Sequence, residues 1–191
     1  MPSPVGHALG GFALGWLAAR SSRLPYPWLT AGAFAALGVV PDLDVLVEGT
    51  HRLYTHSVAA VAFVAVLAAV SLRVAGPRGL TSREQVVLAV AVAAAYGSHI
   101  LLDWLGDDRS VPIGIRALWP FTDGYYQSDR RWFPPVERRY WLPGFWTANL
   151  RAIGWELLLL APVALVALAA RGRGHTGSAA RVGTPDPPSV A

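Results

Sequence analysis

Five apolar runs divide this sequence, and they leave few ways for the chain to fold. Runs 58–75, 85–105 and 152–170 are each close to the ~20 residues that an α-helix needs to cross a bilayer. Runs 7–19 and 29–40 are shorter, and their glycines and alanines favour close packing between helices. The pattern predicts an all-α, polytopic helical membrane protein with about five hydrophobic helices, two short and three full-length.

Composition favours the same class. Hydrophobic residues make up 53% of the chain, the mean hydropathy is +0.39, and charged residues fall to 15%. The 16 basic residues are all arginine and lie mainly at the ends of apolar runs, which is typical of juxtamembrane charge. We therefore expect no direct nucleic-acid binding. Because the chain has no cysteine, any metal site must use nitrogen and oxygen ligands.

Two further stretches set the predicted domain boundaries. Residues 106–151 are polar, rich in proline and crowded with aromatic side chains beside arginines, which predicts an interfacial loop region. Residues 171–191 consist largely of glycine, serine, threonine and proline, which predicts a disordered tail. We expect one membrane-embedded helical domain over residues 1–170, followed by that tail.

The segment 41–57, PDLDVLVEGTHRLYTHS, concentrates ionisable side chains between two apolar runs. Carboxylates and imidazoles are common ligands of Zn²⁺ and similar ions. In apolar surroundings such groups are costly unless they are paired, solvated or metal-bound. Two nearby carboxylates repel each other, and a cation relieves that repulsion. The segment therefore predicts a metal site that draws on Asp42, Asp44, His51 and His56.

Other runs contain ionisable residues of their own. His99 and Asp103 are four positions apart in run 85–105, so they share a helical face; they are metal ligands or a hydrogen-bonded pair that joins two helices. Glu156 lies near the start of the last run. Its alternatives are a metal ligand, a general base, a group that orients a ligand, or a carboxylate stabilised by the helix dipole. His7 begins the first run.

If the five runs alternate in direction, all of these residues fall on one side of the membrane. Unrelated polar residues would scatter over both sides, so the coincidence predicts a single polar, metal-binding cluster at one membrane face. On the other side the arginines lie closer to helix ends in short connections, which is typical of cytoplasmic loops. We expect the site to face away from the cytoplasm.

Several short motifs resemble one known family. GHALGG, PDLD, HRLYTHS, SHILLDWLGDD and GIRALWPF occur in the order found in the bacterial inner-membrane, LexA-binding, metal-dependent hydrolases. The resemblance covers roughly residues 5–160. Gly6 stands before His7 where that family usually has threonine, and residues 106–108 also depart from its pattern. The resemblance implies a helical inner-membrane protein with a divalent-metal hydrolase activity. A more distant similarity to helical zinc-dependent phospholipases C implies phosphoester substrates.

These observations predict a membrane-bound, metal-dependent hydrolase that acts on a phosphoester or lipid-type substrate through a metal-activated water. One or two divalent ions, with Zn²⁺ favoured, would be bound by His7, Asp42, Asp44, His51, His56, His99 and Asp103. Asp44 or Glu156 would accept the proton, and Arg52 would stabilise a phosphate oxyanion. The expected partners are membrane lipid and a small-molecule or lipid substrate.

Two alternatives belong to other functional classes. One is a non-catalytic membrane scaffold that recruits a protein partner such as a repressor, with a purely structural polar cluster. The other is an ion or proton pathway through His99, Asp103 and Glu156. A pathway needs polar residues in both halves of the membrane, and the sequence places them on one side only.

Overall fold

The computed structural model describes residues 1–24, 26–47 and 51–179, with side chains as far as Arg171, and this part of the chain is helical apart from its loops. The helices are α1 (Pro4–Ala18), α2 (Pro27–Val39), α3 (Val58–Ala75), α4 (Ser82–Leu105) and α5 (Phe145–Ala179). Short 3₁₀ segments, Ala19–Ser21 and Val40–Leu46, follow α1 and α2. The all-α prediction is confirmed.

Local sequence signals explain where the helices begin. Ser3 caps α1 by accepting a hydrogen bond from the Gly6 amide at 3.2 Å, and Pro4 occupies the first turn, where no amide hydrogen is needed. Ser57 caps α3 in the same way. Thr81 and Glu84 form a reciprocal capping box at the start of α4.

The two runs predicted to be short behave differently. α1 has 15 residues and lies inside the bundle, packed on α2, α4 and α5. α2 continues into its 3₁₀ segment, so that Pro27–Leu46 forms a 20-residue apolar unit, and Pro41 tightens the helix without ending it. Among the described residues, four helical units are long and apolar enough to cross a membrane: Pro27–Leu46, Val58–Ala75, Ser82–Leu105 and Phe145–Arg171.

The antiparallel crossing of α1 and α2 depends on two glycines. A Cβ atom on Gly38 would lie 2.2 Å from the His7 carbonyl oxygen, and one on Gly11 would lie 2.5 Å from the Phe34 carbonyl oxygen. Only glycine permits backbones this close. The crossing holds the C-terminal end of α2 against the first turns of α1.

The predicted boundaries of the loop region and the tail need correction. The loop predicted for 106–151 ends at Gly144, whose φ of 88° fits a turn, and α5 begins at Phe145. Residues 145–151 are mostly apolar or good helix formers and join the last apolar run without a break. The helix then continues to Ala179, into the segment predicted to be a disordered tail, and residues 180–191 of that prediction lie outside the described residues.

Candidate metal centre

The chain reverses direction at each connection, so α1, α3 and α5 begin at the end of the bundle where α2 and α4 finish. We call this the polar end. His7 lies in the first turns of α1, Asp42 follows α2, and His56 precedes α3. His99 and Asp103 occupy the last turns of α4. The predicted convergence on one end is present in the fold.

Four of these side chains form a compact group that we call the ligand cluster: Asp42, His56, His99 and Asp103. One ligand atom from each lies within 4.8 Å of the other three. The Nε2 atoms of His56 and His99 are 3.0 Å apart. Asp103 Oδ2 lies 3.4 Å from His56 Nε2 and 3.2 Å from His99 Nε2. Asp42 Oδ1 lies 3.6 Å from each of the same nitrogens.

These separations match five of the six edges of a coordination tetrahedron. Zn²⁺ bonds of about 2.0–2.1 Å at tetrahedral angles place neighbouring ligand atoms about 3.3–3.4 Å apart. The five separations run from 3.0 to 3.6 Å. The donor set of two imidazoles and two carboxylates therefore fits a small divalent ion in both chemistry and size.

The outer nitrogens of the two imidazoles are already bound. His99 Nδ1 lies 2.7 Å from the Gly38 carbonyl oxygen, which can only accept, so Nδ1 donates. His56 Nδ1 lies 3.2 Å from Asp44 Oδ2 and 2.9 Å from the Thr55 hydroxyl. In the neutral rings both Nε2 atoms then present lone pairs to each other, an arrangement that a cation between them stabilises.

Asp44 contacts the outer, Nδ1 edge of His56 and is not one of the four residues of the ligand cluster. Besides His56 Nδ1, its carboxylate contacts His51 Nδ1 at 2.7 Å, the Arg52 amide at 3.0 Å and the Thr55 hydroxyl. Asp44, His51 and His56 also form a second group whose ligand atoms lie close together. Because one edge of His56 faces Asp44 while the other faces the ligand cluster, Asp44 is placed to orient the imidazole.

His7 extends the cluster on one side. Its ring stacks on His99, with centroids 3.8 Å apart, and its Nε2 lies 3.3 Å from Asp103 Oδ1. Both ring nitrogens of His7 and both carboxylate oxygens of Asp103 are buried without a hydrogen-bond partner in the described residues. Unsatisfied buried atoms are costly, and all four are metal-ligand types.

The remaining predicted site residues have other partners. The Arg52 guanidinium is buried against Asp108 and also donates to the Pro112 carbonyl at 3.3 Å. Glu156 is fully buried and accepts hydrogen bonds from the Ser3 amide, at 2.6 Å, and from the Ser3 hydroxyl. Glu156 therefore anchors the start of α1, which carries His7. Glu48, from the same segment as Asp42, lies outside the described residues.

The metal-free cluster has a proton available. Burial of the His56 imidazole lowers its pKa, but the hydrogen bonds to Asp42 and Asp44 and the charge of Asp103 outweigh burial and raise the pKa of His56 to about 9. Without a metal, His56 is protonated at neutral pH and its charge offsets the surrounding carboxylates. A divalent ion that binds there displaces this proton.

Access to the cluster is narrow. Asp42 keeps 28% of its side chain exposed, whereas the side chains of His56, His99 and Asp103 are at 0%. A polar cavity of about 580 Å³ lies at the same end, lined by Asp107, Asp108, Arg109, Arg138 and Arg139 among others. Asp108 links this cavity to Arg52, whose backbone amide bonds Asp44.

Sequence reasoning missed three groups that support the site: the Gly38 carbonyl, Ser3 and Asp108. Asp108 had a signal, since it is part of the GDD sequence after α4. Ser3 is followed by proline, a typical helix start, but nothing local links it to Glu156. The role of Gly38 follows only from the helix crossing.

Comparison with known proteins places the chain in a family. The profile of the family described as YdjM inner membrane protein matches residues 1–176, which include α1 to α4, the apolar part of α5 and every residue of the ligand cluster. Neither the curated proteins nor the solved structures returned a match. The match spans far more than half of the chain, and its description agrees with the four apolar helical units; the chain therefore belongs to the YdjM inner membrane protein family.

Proposed function

We propose that this protein is a membrane-bound, metal-dependent hydrolase that acts on a phosphoester or lipid-type substrate. The observation that carries the proposal is the convergence of four ligand atoms, five of whose separations are 3.0–3.6 Å, with both imidazoles held through Nδ1. A bound divalent ion, with Zn²⁺ favoured, would polarise an ester and lower the pKa of a bound water towards neutrality.

The four cluster residues would hold the ion, and His7 would support it through Asp103. Four protein ligands leave no open position in a tetrahedral site, yet hydrolysis requires one. Asp42 is the ligand best placed to yield a position to water, because it is the most exposed of the four and has the longest separations, 3.6 Å. It also lies in a short 3₁₀ segment rather than in the body of a helix.

Among the proposed catalytic groups, the carboxylates have distinct surroundings. Asp44 is engaged by His51, Thr55 and the Arg52 amide, so its first contribution is to hold His56 in place. Glu156 holds Ser3 and would accept a proton only after releasing one of those hydrogen bonds. We keep both as candidate bases and assign the orienting role to Asp44.

The polar cavity suits an anionic substrate. Arg138 lines it without an ion pair among the described residues, and arginine binds phosphate oxygens well. Arg109 and Arg139 also line it, each paired with an acidic neighbour, Asp107 and Glu137 respectively. Exposed aromatic residues of the same end, including Phe121, Trp132, Trp141 and Trp146, would lie among lipid headgroups. We propose a multi-pass placement with this end on the non-cytoplasmic face, where it meets lipid or other membrane phosphoesters.

Metal content tests the proposal most directly. Detergent-purified wild type should carry near-stoichiometric zinc or another divalent ion by mass spectrometry, whereas His56→Ala and Asp103→Ala should lose it. Asp129→Asn is the matched control, because Asp129 is exposed and is not a member of the ligand cluster. A folded wild type that neither carries nor takes up metal would exclude the hydrolase. Where metal binds, hydrolysis of phosphoester and lipid substrates by wild type and not by these two variants completes the test.

A second candidate is a non-catalytic scaffold whose metal is structural and which recruits a protein partner such as a repressor. The closed set of four protein ligands favours it, since structural zinc sites are closed. This alternative predicts bound metal and a metal-dependent fold, with no turnover of any phosphoester at any metal loading.

A further inference from the structure

At the end of the bundle opposite the ligand cluster, an apolar cleft adjoins a polar cavity that contains arginines. We propose that this region binds one anionic phospholipid, with an acyl chain in the cleft and the phosphate between Arg23 and Arg83. The proposal rests on the membrane placement and is independent of the hydrolase function.

The cleft exists because α2 and α3 do not pack on each other. Both pack on α4, and in the part of the chain that the structure describes no Cα atom of α2 lies within 8 Å of one of α3. The space between them is a cleft of about 510 Å³. Its apolar walls include Leu29, Ala33 and Leu37 of α2, Ala68 and Leu72 of α3, and Val92 of α4.

The dimensions and position of the cleft fit an acyl chain. Its lining on the α2 side extends from Tyr26 to Leu37. That length is about 16 Å at 1.5 Å per residue, roughly half of the ~30 Å hydrocarbon core, or one leaflet. Both flanking helices belong to units long enough to cross a membrane, so the cleft would face hydrocarbon. An unfilled cleft forfeits dispersion contacts that a lipid chain supplies.

The polar cavity, of about 330 Å³, adjoins the cleft at the N-terminal end of α4. It is lined by Ser21, Ser22, Arg23, Gly79, Thr81 and Arg83 among others. Consecutive residues line the two spaces: Arg23 is followed by Leu24 of the cleft, and Thr81 is preceded by Leu80 of the cleft. A headgroup in the polar cavity and a chain in the cleft can therefore belong to one molecule.

Charge selects an anionic headgroup. Within the described residues, the guanidinium groups of Arg23 and Arg83 have neither a hydrogen bond nor an ion pair, and both residues are exposed. Glu84, the one acidic side chain at this end of the described chain, also lines the cavity; its carboxylate accepts hydrogen bonds from Thr81 at 2.8 and 2.9 Å and from the Arg23 amide at 3.4 Å. The two guanidinium groups leave the cavity with a net positive charge. By contrast, Arg171 is already bound to the Ala19 and Ser22 carbonyls. Basic pockets between membrane helices bind anionic lipid headgroups.

Native mass spectrometry of the full chain in detergent tests this proposal, with phosphatidylglycerol and phosphatidylcholine of identical chains as probes. We expect one phosphatidylglycerol to bind, in preference to phosphatidylcholine. The double variant Arg23→Gln/Arg83→Gln should weaken the binding of phosphatidylglycerol by about five-fold for each arginine and remove the preference for it over phosphatidylcholine. The matched control Arg20→Gln/Arg73→Gln removes the same charge from exposed arginines outside the cavity, and should change binding by less than about two-fold.

The cleft is tested separately with Ala68→Trp, which fills the cleft and should weaken the binding of both lipids equally. The control Ala69→Trp changes the adjacent exposed position and should leave the binding of both lipids unchanged. If Ala68→Trp fails to fold, the arginine pair still decides the headgroup. Equal binding of the two lipids, or equal losses in the two arginine pairs, would overturn the proposal. If glycerol phosphate competed as strongly as phosphatidylglycerol, the acyl-chain site in the cleft would be excluded. A lipid-free dimer would identify a second copy of the protein as the occupant of the cleft.

Discussion

Each imidazole of the ligand cluster is held through its outer nitrogen by an oxygen of another residue. For His99 that oxygen is the Gly38 carbonyl, and for His56 it is the Asp44 carboxylate. Such partners fix the tautomer and the ring orientation and make the inner nitrogen a better ligand. At the residue scale, the carboxylates thus divide into those that face the cluster centre, Asp42 and Asp103, and one that faces a ligand from behind.

Asp44→Asn separates these two roles. The substitution keeps the shape of the side chain but weakens its hold on the His56 Nδ1–H, so we expect zinc affinity to fall by about 10–100-fold with the stoichiometry retained. Competition with a chromophoric chelator measures this affinity. Asp103→Asn, the comparison, should lose the metal altogether. If Asp44→Asn also lost it altogether, Asp44 would be a direct ligand, and an unchanged affinity would remove its orienting role.

At the element scale, the crossing of α1 and α2 positions the Gly38 carbonyl for His99. The two helices are antiparallel and meet at Gly11 and Gly38, where no side chain fits. The same crossing brings His7, in the first turns of α1, beside His99 of α4. Helix packing and ligand orientation are therefore coupled at one contact.

Gly38→Ala should disturb both the packing of α1 on α2 and the orientation of His99. Its Cβ would lie 2.2 Å from the His7 carbonyl oxygen, a backbone atom that cannot rotate away. We expect destabilisation of roughly 1–3 kcal/mol or more, with reduced zinc content because the Gly38 carbonyl moves from His99. Thermal unfolding and metal analysis measure the two effects.

Gly32→Ala is the matched control, since it lies on the same helix and a Cβ there meets nothing within 4 Å. It should be neutral or slightly stabilising, because alanine is the better helix former. Equal effects of the two substitutions would mean that the close crossing does not govern the site.

At the scale of the whole molecule, the ligand cluster joins residues from three separate parts of the chain. α3 has no buried residue and packs on α4 alone among the described elements, yet His56 precedes it directly. Asp42 comes from the end of α2, and His99 and Asp103 come from α4. An ion bound by these residues therefore fixes the start of α3 against two other helices.

Metal removal should accordingly lower stability. A ligand at 100 times its dissociation constant contributes about 2.7 kcal/mol, so treatment with a chelator should lower the unfolding midpoint measurably, and added zinc should restore it. The variant His56→Ala should be insensitive to both treatments. A midpoint that does not respond to chelator in zinc-loaded wild type would show that the cluster does not couple metal to the fold.

The sequence by itself determined the helical class, the ends of α3 and α4, and the convergence of the ionisable residues on one end. These depend on properties that the sequence shows directly: apolar run length, capping by Ser57 and Thr81, and the alternation of helices that reverse direction at each connection. Only the tertiary structure decided which carboxylate faces the cluster, that Arg52 pairs with Asp108, and that Gly38 holds His99. Such partners lie far apart in the chain, 61 positions in the last case. Their meeting depends on how closely two helices pack, which no local pattern encodes.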